Sequence, residues 1–578
     1  MDEMKDQYRA ILFVVLALAV LFAWSHFFKP PAPPPAPAQT QQQQRQSGPA
    51  PVAAPAALPG RPHQRAKVEA KAIKISAVAA SQEKTIVVES PLYRVELSNR
   101  GGVVHSWKLK KYSDDETPPQ PLDLVNADSG AQIGWPMSLL VGDSQGADKQ
   151  YETEANAALY EVTPGPEHFD APAEITFHWS DGYLDVTKKL KFDQSYEVSV
   201  AVTATLDGEP LPAAVAWRGG FGDKGIENGS QLVSVFYKEN GKLTLLQYKK
   251  LGVPGNQAQP YWQSGPVEFT GLQDQFFTAV FLPDSGTPLS MWHWMQQHSY
   301  KNGEKDASEP EPEMAAGATE PGPLTMRAYV GPKDLALLSK VQPPLEELIS
   351  FGWTSIIAKP LFYALKWIHK YVPNYGWAIV LLTLAINLPL FPLKMMTWRS
   401  MQKMQKVGPE VRSIQDRYKK YSMTDPRKKK MNEEVMAVYS REGINPAMSC
   451  LPMLAQAPIW WALWRVLTGA IELRHAPWIF WIHDLSAKDP YYIVPAAMAV
   501  TMYMMTKMTP TPTTDPAQQK MQSLMPLMFA VIFFRYASGL NLYMFTSNLV
   551  GVGQQLYLNK TDPLPSRSKF KKKNGSGK

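Results

Sequence analysis

The stretch Ala378–Met396, AIVLLTLAINLPLFPLKMM, decides how the chain is read. It is apolar enough to enter a bilayer, yet it carries Asn387 and two prolines, Pro389 and Pro392, toward one end. Polar groups inside a membrane segment are costly and face a protein interior or a water-filled cavity. Thr383 lies four residues before Asn387 and shares its helical face. Two readings of the amide are open. It can serve locally, because Pro389 and Pro392 deprive the Ala385 and Leu388 carbonyls of helical partners, or bond a neighbouring helix. Alternatively, it faces a polar cleft to which several spans contribute.

Composition sets the frame. The chain has 578 residues, 45% hydrophobic and 19% charged, with 17 Trp and 25 Met, which suits a membrane protein with a soluble part. Its one cysteine, Cys450, allows no intrachain disulfide and reads as a packing thiol. A phosphate-binding glycine loop and a nucleophile elbow are both lacking. His293 and His298 lack a third ligand and read as structural. The sequence therefore implies no enzyme and no cofactor.

Working outward, residues 1–9 precede an apolar run at 10–28 that is long enough to span the hydrocarbon core. It runs into bulky His26, Phe27 and Phe28 rather than a small-residue cleavage site, so it reads as an uncleaved anchor. Residues 29–65 are rich in Pro, Ala and Gln and read as a disordered tether. From 66 to 341 the pattern is strand-like. Tyr93, Val95 and Leu97 alternate with Arg94, Glu96 and Ser98, and Gly101 and Gly102 mark a turn. This predicts a large, mostly antiparallel β-sandwich, with HSYKNGEKDASEPEPEMAAGATEPGP as a loop within it. Residues 342–372 mix aromatics with Lys359, Lys366 and Lys370, as an interfacial amphipathic helix does. Residues 373–558 hold five apolar stretches, at 375–393, 448–471, 491–508, 521–536 and 540–558, which makes six spans with the anchor.

Charge predicts the orientation. Between Lys394 and Arg441 there are 13 Lys/Arg against five Asp/Glu, and the tail from Lys560 carries seven Lys/Arg and one Asp. Both segments are therefore expected in the cytoplasm, with both termini, and the β domain outside. The basic segment at 395–442 has its own pattern. Met404, Val407, Val411, Ile414, Tyr418 and Tyr421 form a heptad stripe, and Met431, Val435 and Val438 restart it after SMTDPRKKK. Two helices in an antiparallel hairpin follow. Their cations, Arg399, Lys403, Lys406, Arg412, Arg417, Lys419, Lys420, Arg427, Lys428, Lys429 and Lys430, read as a solvated surface or as a docking face for ribosomal RNA or anionic lipid. Lys571, Lys572 and Lys573 in the tail read in the same way.

Other spans also carry polar groups. Gln456 precedes Pro458, and Asn541, Asn548 and Gln555 recur every seven residues on one stripe. Arg465, nine residues after Gln456, points about 180° away on a straight helix. It reads either as a partner of Glu472 near the outer side or, with a kink at Pro458, as a cleft charge. A transporter or channel using the same cleft is the alternative function, but it would predict repeated halves and midplane ion sites, and the chain contains no internal repeat.

Several motifs carry a resemblance. SNRGGVVHSWKLKKY, YVGPKDL, NPAMSCLPMLAQAPIWWALW, WIHDLSAKDPYYIVP, TDPAQQKMQSLMPLMF and SGLNLYMFTSNL resemble, in order and spacing, the YidC/Oxa/Alb family of membrane protein insertases. The resemblance implies an inner-membrane insertase and chaperone with a periplasmic β domain. It implies a hydrophilic groove that takes apolar segments of nascent proteins into lipid without nucleotide or catalytic residue. The implied partners are nascent membrane proteins, the bilayer, the ribosome and signal-recognition machinery, and the Sec translocon as an optional one, with no specific DNA binding. The polar faces and the resemblance together make Thr383, Asn387, Gln456, Trp460, Arg465, Asn541, Tyr543, Met544 and Asn548 the expected groove residues. Asn387 departs from the family, which usually has a basic residue there. Met544 stands where an aromatic is common, and Met448 and Ser449 stand where glycines are frequent.

Overall fold

The structure, a computed structural model, describes residues 76–141, 149–225, 229–251, 261–284, 289–302, 305–318, 320–349, 351–421, 425–445, 451–509, 524, 526, 528–529 and 531–561. The expected first anchor, the tether, Cys450, most of the expected span at 521–536, and Lys571, Lys572 and Lys573 lie outside these residues. The chain divides into two compact units. One comprises Gly60–Gly352 with Val466–Arg474, and the other comprises the remainder.

The first unit is β-rich, with sheets of five, ten and five strands among the described residues. The expected alternation is present in Tyr93–Ser98, where Tyr93, Val95 and Leu97 are fully buried and Arg94 faces solvent. Residues from all three sheets, including Val95, Trp107, Phe177, Val198, Trp217 and Met291, share one core. Burying each such side chain contributes on the order of 1.5–3 kcal/mol. At the turn, Gly101 has φ +72°, and a Cβ there would lie 2.5 Å from the Asn156 carbonyl oxygen. Buried Lys188 donates to the carbonyls of Gly101 (2.7 Å), Gly102 (3.1 Å) and Met137 (2.7 Å), fastening this turn to the core.

The loop expected around HSYKNGEKDASEPEPEMAAGATEPGP is a long hairpin instead. Strands β1 (Leu289–Asn302) and β2 (Lys305–Ala318) pair from Leu289↔Ala318 to Asn302↔Lys305. Its prolines and carboxylates hid it. Pro310 and Pro312 are tolerated because the far edge of β2 pairs another strand only from Met314 onward, so no ladder bond is lost there. Glu311 and Glu313, almost fully buried, face inward. Glu313 accepts from the Gly219 amide (3.0 Å) and the Trp294 indole (2.5 Å). Burial pushes both carboxyls up to about 7.

The second unit is helical. Helix α1 (Ser355–Tyr371) covers most of the expected interfacial segment and leaves Ile356, Trp367 and Tyr371 exposed. Helix α2 (Tyr375–Arg417) runs unbroken for 43 residues, from the opening stretch into the basic segment, with Pro389, Pro392 and Pro409 inside it. The Asn374 side chain caps it, accepting from the Trp377 amide (3.1 Å) and donating to the Pro477 and Trp478 carbonyls. Helix α3 (Pro426–Arg441) folds back on the end of α2, capped by Asp425 with Pro426 at its first turn. Met404, Val407, Val411 and Ile414 of the heptad stripe are buried with Val438 and Ile444. Helices α4 (Leu451–Gly469), α5 (Ile493–Met508) and α6 (Ser538–Thr561) follow. Asp489 sets the start of α5, its carboxylate accepting from the Val494 amide (2.7 Å) and the Trp481 indole (3.0 Å). Among the described residues, α2 alone is long and apolar enough to cross a membrane by length and composition, and α5 is apolar but shorter.

Candidate functional site: a polar cavity among the helices

A cavity of about 510 Å³ lies within the helical unit. Helix α2 lines it with Lys394, Thr397, Trp398 and Met401, and α4 adds Gln456, Ala457 and Trp460. Met502 and Met505 come from α5, with Thr509 beyond it. The largest share is from α6, where residues three, four and seven apart, such as Met544, Ser547, Asn548, Gly551 and Gln555, fall on one face.

The lining has two characters. Met401, Met502, Met505, Met544, Trp398 and Trp460 form deformable, polarisable walls. Gln456, Asn548, Gln554 and Gln555 present amides. Gln456 hydrogen-bonds the Tyr543 hydroxyl, and the Trp460 indole donates to the Met544 sulfur at 3.1 Å. The Asn548 amide nitrogen and the Thr509 hydroxyl are buried with no partner among the described residues. Leaving such groups unpaired costs about 1–3 kcal/mol each, a cost relieved by water or a polar chain in the cavity.

Of the residues singled out in the sequence, Gln456, Trp460, Tyr543, Met544 and Asn548 meet here. Four do not line the cavity. Thr383 bonds back to the Ile379 carbonyl at 2.7 Å. Asn541, fully buried, donates to the Phe533 and Tyr536 carbonyls and so fastens the turn before α6. Arg465 is exposed. Asn387 is 1% exposed and sits behind the wall. Its amide nitrogen donates to the Thr383 carbonyl (2.9 Å) and reaches Ser547 on α6 (3.5 Å). The amide thus ties α2 to α6 rather than serving the proline-freed carbonyls.

One residue was missed. Lys394, seven residues after Asn387, enters the cavity, donating to Gln554 Oε1 at 2.8 Å and Asn387 Oδ1 at 3.4 Å. The seven-residue spacing from Asn387 was the available signal, but the lysine stood at a span boundary and was counted with the topology-setting charges. Gln554 also donates to the Asn387 carbonyl at 3.4 Å.

The basic hairpin pairs part of its own charge. Arg417 bonds Glu434 (2.6 Å), Arg441 bonds Glu410 (2.7 Å), and Arg427 bonds Asp425 (2.7 Å) while lying 3.8 Å over the Tyr421 ring. Lys403, Lys406, Arg412, Lys419, Lys420, Lys429 and Lys430 are exposed. In the β-rich unit, His293 and His298 lie five apart on β1 and face opposite sides of the sheet, so they form no pair.

Comparison with known proteins gives the lineage. The family described as "60Kd inner membrane protein" matches residues 367–565, and the YidC periplasmic domain matches residues 85–364. The membrane protein insertase YidC of Methylobacillus flagellatus is 30% identical over 572 residues, 96% of this chain and 97% of that protein. The same-named protein of Geobacter metallireducens is 30% identical over 567 residues, 96% and 98% of the two chains. A crystal structure of an active YidC insertase is matched over 84% of this chain and 95% of that one, at 18% identity and a TM-score of 0.34. With 96% of the chain matched at 30% identity by the curated insertases, and with the periplasmic and inner-membrane family models matched one after the other along it, the chain belongs to the YidC family of membrane protein insertases.

Proposed function

We propose that the protein moves apolar segments of nascent membrane proteins into the bilayer through the cavity formed by α2, α4, α5 and α6. The Asn548 amide nitrogen and Thr509 hydroxyl, unpartnered among the described residues, carry this reading, because a cavity that holds such polar atoms among methionines suits a chain with both polar and apolar parts. A polar pocket lowers the cost of bringing flanking polar groups into the membrane. The driving force is the burial of the segment itself in lipid, about 25 cal/mol per Å² of apolar surface. No nucleotide is required.

In the same reading the chain spans the membrane six times, with both termini and the α2–α3 hairpin in the cytoplasm and the β-rich unit in the periplasm. The exposed lysines of the hairpin, together with Lys571, Lys572 and Lys573 of the basic tail sequence, meet the ribosome and the signal-recognition machinery. Insertion proceeds alone or beside the Sec translocon. The test is insertion of an in-vitro synthesised single-span protein into liposomes holding the full-length chain. Replacing Gln456 and Asn548 together by Leu should reduce insertion roughly tenfold, the loss of two polar contacts at about 0.5–1.5 kcal/mol each. Unchanged insertion by a folded double variant would reject the cavity as the route.

A further inference from the structure

A second set of buried groups lies in the β-rich unit, under the segment Trp217–Gly225, WRGGFGDKG. This segment is a strap with a hold at each end. At one end the Gly219 amide donates to Glu313 at 3.0 Å, and Arg218 Nε lies 3.5 Å from the same carboxylate. At the other, Asp223 takes the buried Arg474 guanidinium at 2.6 and 2.8 Å, and its own amide donates to Asp274 at 2.8 Å. Between the two holds lies Glu311. A Cβ on Gly220 (φ +81°) would stand 2.7 Å from Glu311 Oε2, so the carboxyl and the strap backbone are packed directly together. Glu311 is 3% exposed, yet its one hydrogen bond among the described residues is a long one, 3.5 Å from the Asn126 amide. Glu313, by contrast, accepts from both the Gly219 amide and the Trp294 indole.

Glu311 and Glu313 are alternate residues of β2, so they stand about 7 Å apart on one face of the strand. Burial disfavours the ionised form of both. The better-held Glu313 can ionise in place, whereas Glu311 has little to hold a charge. The charged groups around Glu311 are Glu309 and Glu313 on its own strand and Lys224 on the strap. Glu309 accepts from the Tyr300 hydroxyl, and His298 stands across from it on β1. Arg218 and Glu152 lie on the Glu313 side, and Asp123 and Asp128 face Lys224. Of the cations, Lys224 bears on Glu311 and Arg218 on Glu313. Lys224 is exposed, follows Asp223 in the chain, and donates at 2.8 Å to Asn126, the side chain whose nitrogen meets Glu311. We propose that Glu311 is a proton-controlled latch of the strap: neutral, it lies beneath Gly220 while Asp223 holds Arg474; ionised, it turns out to Lys224 and draws the strap, and with it Asp223, away from Arg474. Arg474 ends the segment after α4 that belongs to this unit, so acidity sets how firmly that segment is held. In the orientation proposed above, that acidity is the periplasm's.

The experiment is amide hydrogen exchange of the full-length chain in liposomes at about pH 5 and about pH 7.5, corrected for the intrinsic pH dependence of exchange. The closed strap keeps a proton on Glu311 that the open one gives up, so opening grows as pH rises from 4.5 toward 7 and levels off above it. Residues 218–224 and 471–474 should both exchange roughly tenfold faster or more at the higher pH, the factor that one unit of pKa displacement supplies. Strand Tyr93–Ser98 in the same unit should keep its protection, which reports that the fold is intact. Glu311→Gln should leave both segments slow at either pH, and Glu311→Asp should keep the rise. Lys224→Met should move the rise to higher pH. A rise that survives Glu311→Gln, an equal loss of protection at both pH values in that variant, or a strap that opens while 471–474 stays closed would each overturn the proposal. A rise left in place by Lys224→Met would overturn it as well.

Discussion

Single residues decide local outcomes here through what they touch. Lys188 is fully buried and bonds three carbonyls, with no carboxylate partner among the described residues, and burial pulls it down to about 7. A lysine depressed in the folded state is bound to fewer protons there than in the unfolded chain between about 7 and 10.5. Stability therefore rises with pH across that window, by about 1.4 kcal/mol for each unit of depression. Thermal unfolding of the β-rich unit in the full chain should shift upward from pH 7 to pH 10, and Lys188→Met should flatten the slope. Glu311 and Glu313 act in the opposite sense. Carboxyls raised to about 7 weaken the fold as pH rises from 4.5 toward 7, so Glu313→Gln should remove part of that fall. Gly376 illustrates a steric limit. A Cβ there would lie 2.1 Å from the Trp478 indole, so Gly376→Ala should cost about 1–3 kcal/mol, read as a lower melting temperature of the helical unit.

At the scale of elements, legibility followed periodicity. The heptad stripe from Met404 to Ile414 could be read because its apolar spacing is regular, and those residues form the seam of the α2–α3 hairpin. Strand Tyr93–Ser98 could be read for the same reason at period two. The β1–β2 hairpin could not, since Glu309, Pro310, Glu311, Pro312 and Glu313 mimic a solvated loop, and only the buried partners of the carboxylates explain them. Unbroken α2 was equally hidden, because three prolines normally stop a helix. The hairpin offers a contrast of magnitudes. Arg441→Ala removes an exposed bidentate pair with Glu410 and should leave the melting temperature nearly unchanged, because water and salt screen such a pair. Val411→Asp puts a charge in the seam and should open α3, which amide hydrogen exchange along 426–441 would report as lost protection.

For the whole molecule, the two units partition the chain unevenly. Val466–Arg474, the last turn of α4 and the segment after it, belongs with the β-rich unit. Ile471 joins that unit's core, and buried Arg474 bonds Asp223 at 2.6 Å. Arg474→Met should therefore destabilise the β-rich unit by about 3–5 kcal/mol by stranding a buried carboxylate, while Arg474→Met with Asp223→Asn should recover much of it. The two partners lie 251 residues apart in sequence, a separation that no local pattern spans. The same limit governed the cavity. Gln456 and Asn548 could be read from their places as polar groups within spans, and Trp460, Tyr543 and Met544 through the resemblance, but Lys394 acquired its place only when α2 and α6 were brought together by Asn387, Ser547 and Gln554.

The most direct test of the route places a photo-crosslinking amino acid at position 548, inside the cavity, and in a second variant at neighbouring exposed Leu549, each challenged with a ribosome stalled on a short membrane protein. The cavity route predicts a crosslink from 548 to the apolar segment of the nascent chain, stronger than that from 549. A crosslink from 549 with none from 548 would contradict it and move the path to the outer face of α6.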